Sequence, residues 1–336
     1  MRAYELRGRG LSGLVFVERP TPRPAAGQVL VRIRAVSLNR RDLNIAEGAY
    51  ARAQPRYPLI PLSDGAGEVI DVGPGVKHLE LGERVMSSFF PRWVEGPADA
   101  DKQALALGGS TDGVLAEEVV LEAATTIPVP DTLSFEEAAT LPCAGLTAWV
   151  GLAAHGQLQP GETVLAMGTG GVSIFALQIA KAMGGWVVVT SSGDDKLGRA
   201  KALGADAVIN HRQIPQWDVR ARALTDERGV DHILEVGGAK TLPSSLRALR
   251  DGGHLVLIGA LGGERATPEA AHNNRGIRVD TVYVGNARQL QALADMVARA
   301  AVHPVVDRVF TFETARDAYE CMKRGDHFGK IVIRLD

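Results

Sequence analysis

The chain predicts an α/β protein of two domains: a parallel sheet wound on both faces by helices, and a β-rich partner. Three observations carry this. From residue 164 onward, short apolar runs alternate with helical stretches. A glycine-rich turn sits at the first junction of such a run with a helix. Residues 1–120 instead mix alternating apolar and charged positions with frequent Gly and Pro. A length of 336 residues suits about two domains.

Taken in order, Gln28–Val36 alternates apolar with charged side chains, the pattern of a half-buried strand. Pro22, Pro24, Gly27, Pro58, Pro61 and Gly73-Pro74-Gly75 punctuate the neighbouring stretches as tight turns. Ser134-Phe-Glu-Glu137 reads as a capping box opening a helix that links the domains. Val164–Met167 is a strand, and the turn Gly168-Thr169-Gly170-Gly171-Val172 leads into a helix running toward Gly184. Further strands follow at Trp186–Thr190, Ala207–Ile209, Asp231–Val236, His254–Ile258 and Val279–Val284. Helices are expected over Asp194–Leu203 and Leu242–Leu249, the second stopping near Gly252-Gly253. Apolar strands separated by helices mean a parallel sheet covered on both faces. Two helical segments, Gln289–Ala300 and Glu313–Lys323, and a strand Lys330–Arg334 are expected to return to the first domain. The expected boundaries are 1–144, completed by 287–336, and 145–286.

The strand–turn–helix around Gly168 is a dinucleotide fingerprint. Gly168 permits the turn, Gly170 lets backbone approach a pyrophosphate, and the helix N-terminus offers N–H groups to the anion. Ser173 stands where the last glycine of the pattern would be.

Bulk properties narrow the classes. The chain is 46% hydrophobic and 23% charged, with net charge −2, so nucleic acid and anionic membranes are not expected partners. No apolar run approaches the ~20 residues of a membrane span. The N-terminus lacks a signal-peptide pattern. Two cysteines, Cys143 and Cys321, exclude a disulfide framework and a four-cysteine zinc site, and the expected location is the cytoplasm. The eight histidines show no metal-ligand spacing.

The chain resembles the medium-chain dehydrogenase/reductase superfamily. The resemblance rests on Asp42-Leu43, Gly48, Pro61–Gly67, Val72-Gly73, Gly82–Val85, Ala139–Ala148, the glycine turn and Gly329-Lys330. It implies a GroES-like β-rich catalytic domain plus a doubly wound Rossmann domain, and hydride transfer between a nicotinamide cofactor and a carbonyl, alcohol or activated alkene. Zinc-dependent members carry Cys-His-x-Asp-Leu and later Gly-His-Glu. Here the corresponding stretches are Asn39-Arg-Arg-Asp-Leu43 and Leu62-Ser63-Asp64. Cys143 aligns with a third ligand position, and residues 90–110 lack the cysteines of a structural zinc lobe. Asn, Ser and one thiolate do not make a zinc site. The pattern resembles the zinc-free quinone oxidoreductase branch, so no metal site is expected, and Cys143 is read as a small core residue beside the cofactor.

The resemblance further implies that Thr147, Gly168, Thr169, Gly170, Gly171, Val172, Gly237, Gly259, Val284 and Lys330 contact the cofactor. NAD-specific domains place an acid at the end of the second strand. Ser191 stands there, and Asp194 and Asp195 are read as starting the next helix. Ser191, Ser192, Lys196 and His211 are the candidates to meet a 2′-phosphate, which favours NADP over NAD. Without zinc, hydrogen bonds must stabilise the developing oxyanion. Asn39 and Tyr50 are the expected donors, with Ser63 and Asp64 beside them. A second tyrosine of some relatives is Asn44 here. The expected activity is NADPH-dependent reduction of a quinone, enone or related small-molecule carbonyl. A zinc-type alcohol dehydrogenase using Cys143 and Asp64, and a non-enzymatic NADP(H)-binding protein, stay open. A homodimer is expected through Asp280–Val284.

Overall fold

The computed structural model describes residues 1–50, 55–261, 263–269, 271 and 275–335. Contacts divide the chain into two units, Met1–Leu146 with Val284–Asp336, and Thr147–Tyr283.

The first unit begins with an antiparallel hairpin, β1 (Arg2–Leu6) and β2 (Leu14–Glu18). Strand β3 (Gln28–Leu38) follows and buries Val29, Val31 and Ile33 while Arg32 faces water. Helix α1 (Arg40–Ala46) starts directly after it. Next come β4 (Asp64–Val72), β5 (Arg84–Met86), α2 (Ala100–Gln103), β6 (Glu118–Glu122) and β7 (Ile127–Pro128). Gly67 lets β4 lie tightly on β3, because a Cβ there would sit 2.0 Å from the Arg32 carbonyl oxygen. Helix α3 (Phe135–Ala138) opens on the expected box: Ser134 Oγ accepts from Glu137 N–H at 3.1 Å and Glu137 returns the bond at 2.9 Å. The expected single linking helix is instead a broken run, with π-type turns at Leu141–Gly145 and Val150–His155 flanking α4 (Leu146–Trp149).

The second unit is built of β8 (Thr163–Met167), α5 (Gly171–Ala182), β9 (Trp186–Ser191), α6 (Asp194–Ala202), β10 (Ala207–Asn210), α7 (Trp217–Ala223), β11 (Val230–Glu235), α8 (Leu242–Ala248), β12 (Leu249–Leu257) and β13 (Arg278–Thr281). All six strands are parallel in the order β10-β9-β8-β11-β12-β13, so the winding reverses between β8 and β11. Ligands of such sheets bind at that reversal, beyond the strand C-termini. Leu165, Val188, Ile209, Ile233 and Leu255, one from each of five strands, join one buried cluster. Burying each stabilises the fold by about 1.5–3 kcal/mol. Two boundaries differ from expectation. Strand β12 begins at Leu249 and carries Gly252-Gly253 inside an irregular stretch of its pairing with β11, so these glycines do not mark a stop. Strand β13 ends at Thr281, and Val284 has left the extended region, with φ 60°. Across β11–β13 runs a polar chain: Glu162 to His232 Nε2 at 3.0 Å, His232 Nδ1 to His254 Nδ1 at 3.2 Å, and His254 Nε2 to Asp280 at 2.9 Å.

The chain then returns to the first unit. Helix α9 (Ala287–Arg299) is capped by Asn286, which accepts from Gln289 N–H at 2.9 Å. An unanticipated strand, β14 (Val306–Thr311), precedes a 3-10 turn, α10 (Ala315–Arg324) and β15 (Lys330–Arg334). The sheet runs β14-β15-β3-β4-β5-β7. Strand β3 is long enough to hold two partners along one side: β6 pairs with Gln28–Arg32 and β15 with Ala35–Leu38. That register sets Ile331 opposite Leu38, and so brings Lys330 to the end of β3 where α1 begins.

Candidate active site

In the first unit, Asn39 stands at the N-cap of α1. Its backbone N–H donates to Asp42 Oδ2 at 2.8 Å. Its side chain is buried, and Oδ1 accepts from Lys330 Nζ at 2.5 Å. Lys330, 3% exposed, also donates to the Leu38 carbonyl at 2.8 Å and lies 3.9 Å from Asp64 Oδ2. Asp64 is fully buried at the start of β4. It accepts from Ser63 Oγ at 2.5 Å and from the Cys143 N–H at 3.1 Å. The Asn39 amide nitrogen is drawn toward the Asp64 carboxylate, and buried Nδ2 makes no hydrogen bond of good geometry among the described residues. Oδ1 toward an ammonium and Nδ2 toward a carboxylate is the orientation electrostatics selects.

The surroundings hold a second opposite-charge pair. Arg41 and Asp42 are both buried, 3.4 Å apart. Arg41 donates to the Leu107 carbonyl at 2.8 Å, and its guanidinium lies over the rings of Phe89 (4.4 Å) and Tyr50 (5.5 Å). Tyr50 is half-buried. Burial pushes Asp42 up to about 6, with Arg41 opposing and Asp64 adding. Burial also raises Asp64, against the pull of Lys330. The Cys143 thiol is pushed far up by burial and by Asp64. Tyr319, from α10, is fully buried, its hydroxyl has no hydrogen-bond partner among the described residues, and burial, then Asp42, drives its pKa up.

In the second unit, Gly168 takes φ 77°, and its N–H donates to the Thr190 carbonyl at 2.8 Å. A Cβ on Gly168 or Gly170 would meet nothing within 4 Å, so the turn faces open space. Gly170 caps α5, whose opening turn carries N–H groups without intrahelical partners. Ser173 Oγ donates to the Met167 carbonyl at 2.6 Å, which ties α5 closely to β8. These features suit a dinucleotide pyrophosphate, with Thr169, Gly170, Gly171 and Val172 as the residues that would hold it. Ser191 ends β9, buried, and its carbonyl accepts from His211 N–H at 3.0 Å. Ser192 and Lys196 are half-buried and His211 is exposed. Asp194 is engaged by Asn210 Nδ2 at 2.7 Å and Gln213 Nε2 at 2.8 Å.

The expected residues therefore fall into three groups. Asn39 with Lys330 and Ser63 with Asp64 are two hydrogen-bonded pairs joined by the 3.9 Å approach of Lys330 to Asp64, so Lys330, expected against the cofactor, spends its ammonium on Leu38 and Asn39. Gly168–Val172 form the turn, and Ser191 and His211 meet through a backbone bond. Gly237 and Gly259 follow the ends of β11 and β12. The Gly237 N–H donates inward, to Glu235 Oε1 at 2.7 Å. Thr147 and Val284 are buried on either side of the division between the units. Sequence reasoning missed Arg41, Asp42, Tyr319 and Glu235 as parts of these sites. Only Asp42 left a signal, as an acid three residues after an N-cap.

The positions that correspond to the metal ligands of zinc-dependent members hold an amide, a hydroxyl already given to Asp64, and a thiol. Of these three only the thiol is a ligand type that zinc takes. Among the described residues, no group of three or more His, Cys, Asp or Glu could hold a metal ion, and no helix is long and apolar enough to cross a membrane.

Residues 25–131 match the family model for the alcohol dehydrogenase GroES-like domain, and residues 171–299 that for zinc-binding dehydrogenases. A zinc-type alcohol dehydrogenase-like protein of Schizosaccharomyces pombe is 42% identical over 317 residues, covering 92% of this chain and 91% of that protein. A chloroplastic quinone-oxidoreductase of Triphysaria versicolor is 30% identical over 340 residues, covering 99% of each. A solved NAD-dependent alcohol dehydrogenase superposes with TM-score 0.89 at 33% identity, covering all of both chains. These matches make the protein a nicotinamide-dependent type of oxidoreductase with a GroES-like and a Rossmann part. It belongs to the medium-chain dehydrogenase/reductase superfamily.

Proposed function

We propose that the protein is an NADPH-dependent, zinc-independent reductase of quinones, enones or related carbonyl compounds. The observation that carries this reading is the buried amide of Asn39, its oxygen held by Lys330 and its nitrogen turned toward Asp64 with no hydrogen bond completed among the described residues. The nicotinamide supplies the hydride when bound. Hydride addition leaves negative charge on the substrate oxygen, and Asn39 Nδ2–H is the donor for it. A preorganised donor shielded from water contributes about 10²–10³ in rate. Ser63 and the Cys143 N–H hold Asp64, and Lys330 balances its charge, so the donor keeps a fixed direction. NADPH is favoured because Ser191 replaces the repelling acid and Asp194 is committed to Asn210 and Gln213. The outer strand β13 is the proposed two-fold contact of a homodimer, read by light scattering.

The test is calorimetric titration with NADPH and NADH, followed by turnover of a quinone and enone panel with and without chelator. Tighter NADPH binding that Ser191→Asp abolishes, with chelator-insensitive turnover, supports the reading. Tighter NADH binding overturns the cofactor assignment. Loss of activity on chelation, restored by zinc, overturns zinc independence.

A further inference from the structure

We propose that Lys330 is a positioning residue that acts through Asn39, holding the amide so that its nitrogen serves the substrate oxygen. The proposal rests on the reductase reading of Asn39 and goes beyond it. An asparagine amide presents an acceptor and a donor that differ only by a flip about its last torsion. Asp64 accepts only and already draws the nitrogen end. The ammonium of Lys330 fixes the oxygen end in the same sense. It has three donors and no acceptor, so it can bond only the oxygen end, and it does so at 2.5 Å. A second of its hydrogens goes to the Leu38 carbonyl at 2.8 Å, which anchors the ammonium to the backbone residue preceding Asn39.

The placement follows from the sheet. Strand β15 pairs with the last residues of β3, Ile331 opposite Leu38, so Lys330 and Asn39 are held by the same ladder. Both side chains are more than nine-tenths buried, and water does not compete for the contact. Lys330 also lies close enough to Asp64, 3.9 Å, to offset a carboxylate that would otherwise be buried beside the reacting oxygen and repel its charge. Two buried cations, Lys330 and Arg41, thus face two buried acids, Asp42 and Asp64. Removing Lys330 leaves a site of negative charge where negative charge must develop.

The test is a double-mutant cycle on the full chain with NADPH and the best carbonyl substrate of the panel. Asn39→Leu removes both ends of the amide at similar volume and adds no charge beside Asp42 and Asp64, so kcat should fall about 100-fold. Lys330→Met should lower kcat at least 10-fold, with the NADPH Kd changed less than about 2-fold. The pair Asn39→Leu with Lys330→Met should lose clearly less than the product of the two single losses, because the part of Lys330 that acts through Asn39 has nothing left to orient. Lys330→Met with Asp64→Asn, which restores neutrality, serves as the folding control and should keep the low kcat. Multiplying losses in the double variant, or a Lys330→Met defect confined to the NADPH Kd, overturns the proposal and leaves the reductase reading standing. Full activity in Asn39→Leu, or no turnover anywhere in the panel, overturns both.

Discussion

Replacing Glu235 should unfasten the turn that follows β11. The carboxylate is fully buried, and its Oε1 accepts from the Gly237 N–H at 2.7 Å, the Gly238 N–H at 3.0 Å and Thr241 Oγ1 at 2.6 Å. Its Oε2 accepts from Ser245 Oγ in α8. In Glu235→Ala all four donors lose their acceptor. Water reaches Gly237 and Thr241, which are half-buried, but not Gly238 or Ser245. Ser245 has a weak fallback in Met167 Sδ at 3.6 Å. One stranded buried N–H, one weakened hydroxyl and the emptied side-chain volume together cost about 3–5 kcal/mol. Glu235→Gln keeps Oε1 and loses the charge, and Ser245 can turn its hydrogen toward Met167, so about 1–2 kcal/mol is expected. Urea unfolding followed by tryptophan fluorescence reads the effect where it arises, since Trp186 and Trp217 pack into the second unit's core. Glu235→Ala within about 0.5 kcal/mol of wild type, or Gln as damaging as Ala, would refute the assignment of this carboxylate as the turn's fastening.

Three further outcomes follow from buried geometry. Gly67→Ala places a methyl 2.0 Å from the Arg32 carbonyl and should destabilise by about 2–4 kcal/mol in the same denaturation assay, because backbone on both sides must move. Tyr319→Phe removes a buried hydroxyl that has no partner among the described residues and should stabilise by about 1 kcal/mol, seen as a raised melting temperature. Burial first, then Arg278 and His232, pushes His254 down to about 4, so between the unfolded value near 6.5 and about 4 the unfolded chain binds the proton first. Its contribution is therefore intact above about 6.5 and is lost as pH falls through that window, because burial and Arg278 oppose the charged ring. Asp42, raised to about 6, works in the opposite sense, its native form holding a proton that the unfolded chain has released above about 4. Stability–pH curves for His254→Gln and Asp42→Asn should accordingly lose slopes of opposite sign, and parallel curves would refute both assignments.

The second unit was readable because its strands are nearly continuous apolar runs, and because a glycine with φ 77° at the first turn has few other uses. Strand β14 was not, since Val306–Thr311 is half-exposed along its length and carries Asp307 and Arg308. Gly252-Gly253 misled because glycine in a bulged strand and glycine after a helix look alike in sequence. In the catalytic unit, Asn39, Ser63 and Asp64 were legible as positions of a motif. Their chemistry was not, because it depends on which hydrogen bond each has already made. The Ser63 hydroxyl is given to Asp64, and Lys330 reaches Asn39 from 291 residues away. Arg41 and Tyr319 were hidden for a related reason: a buried arginine stacked on rings and a tyrosine on the inner face of a helix become polar features only once neighbours close over them.

The pairing of β15 with β3 has a consequence for the order of assembly on the ribosome. Asn39 emerges early, but the ammonium that faces it is translated only after the whole of the second unit has appeared. The second unit is contiguous and can close on its own while synthesis continues. The first unit must wait with half of one side of β3 uncovered. During that interval Asp64 has no cation from β15 beside it, and the edge left by the missing strand is open to wrong partners. The enzyme's chemistry thus waits for a strand made only after the whole second unit, and that edge stays open until Lys330 arrives.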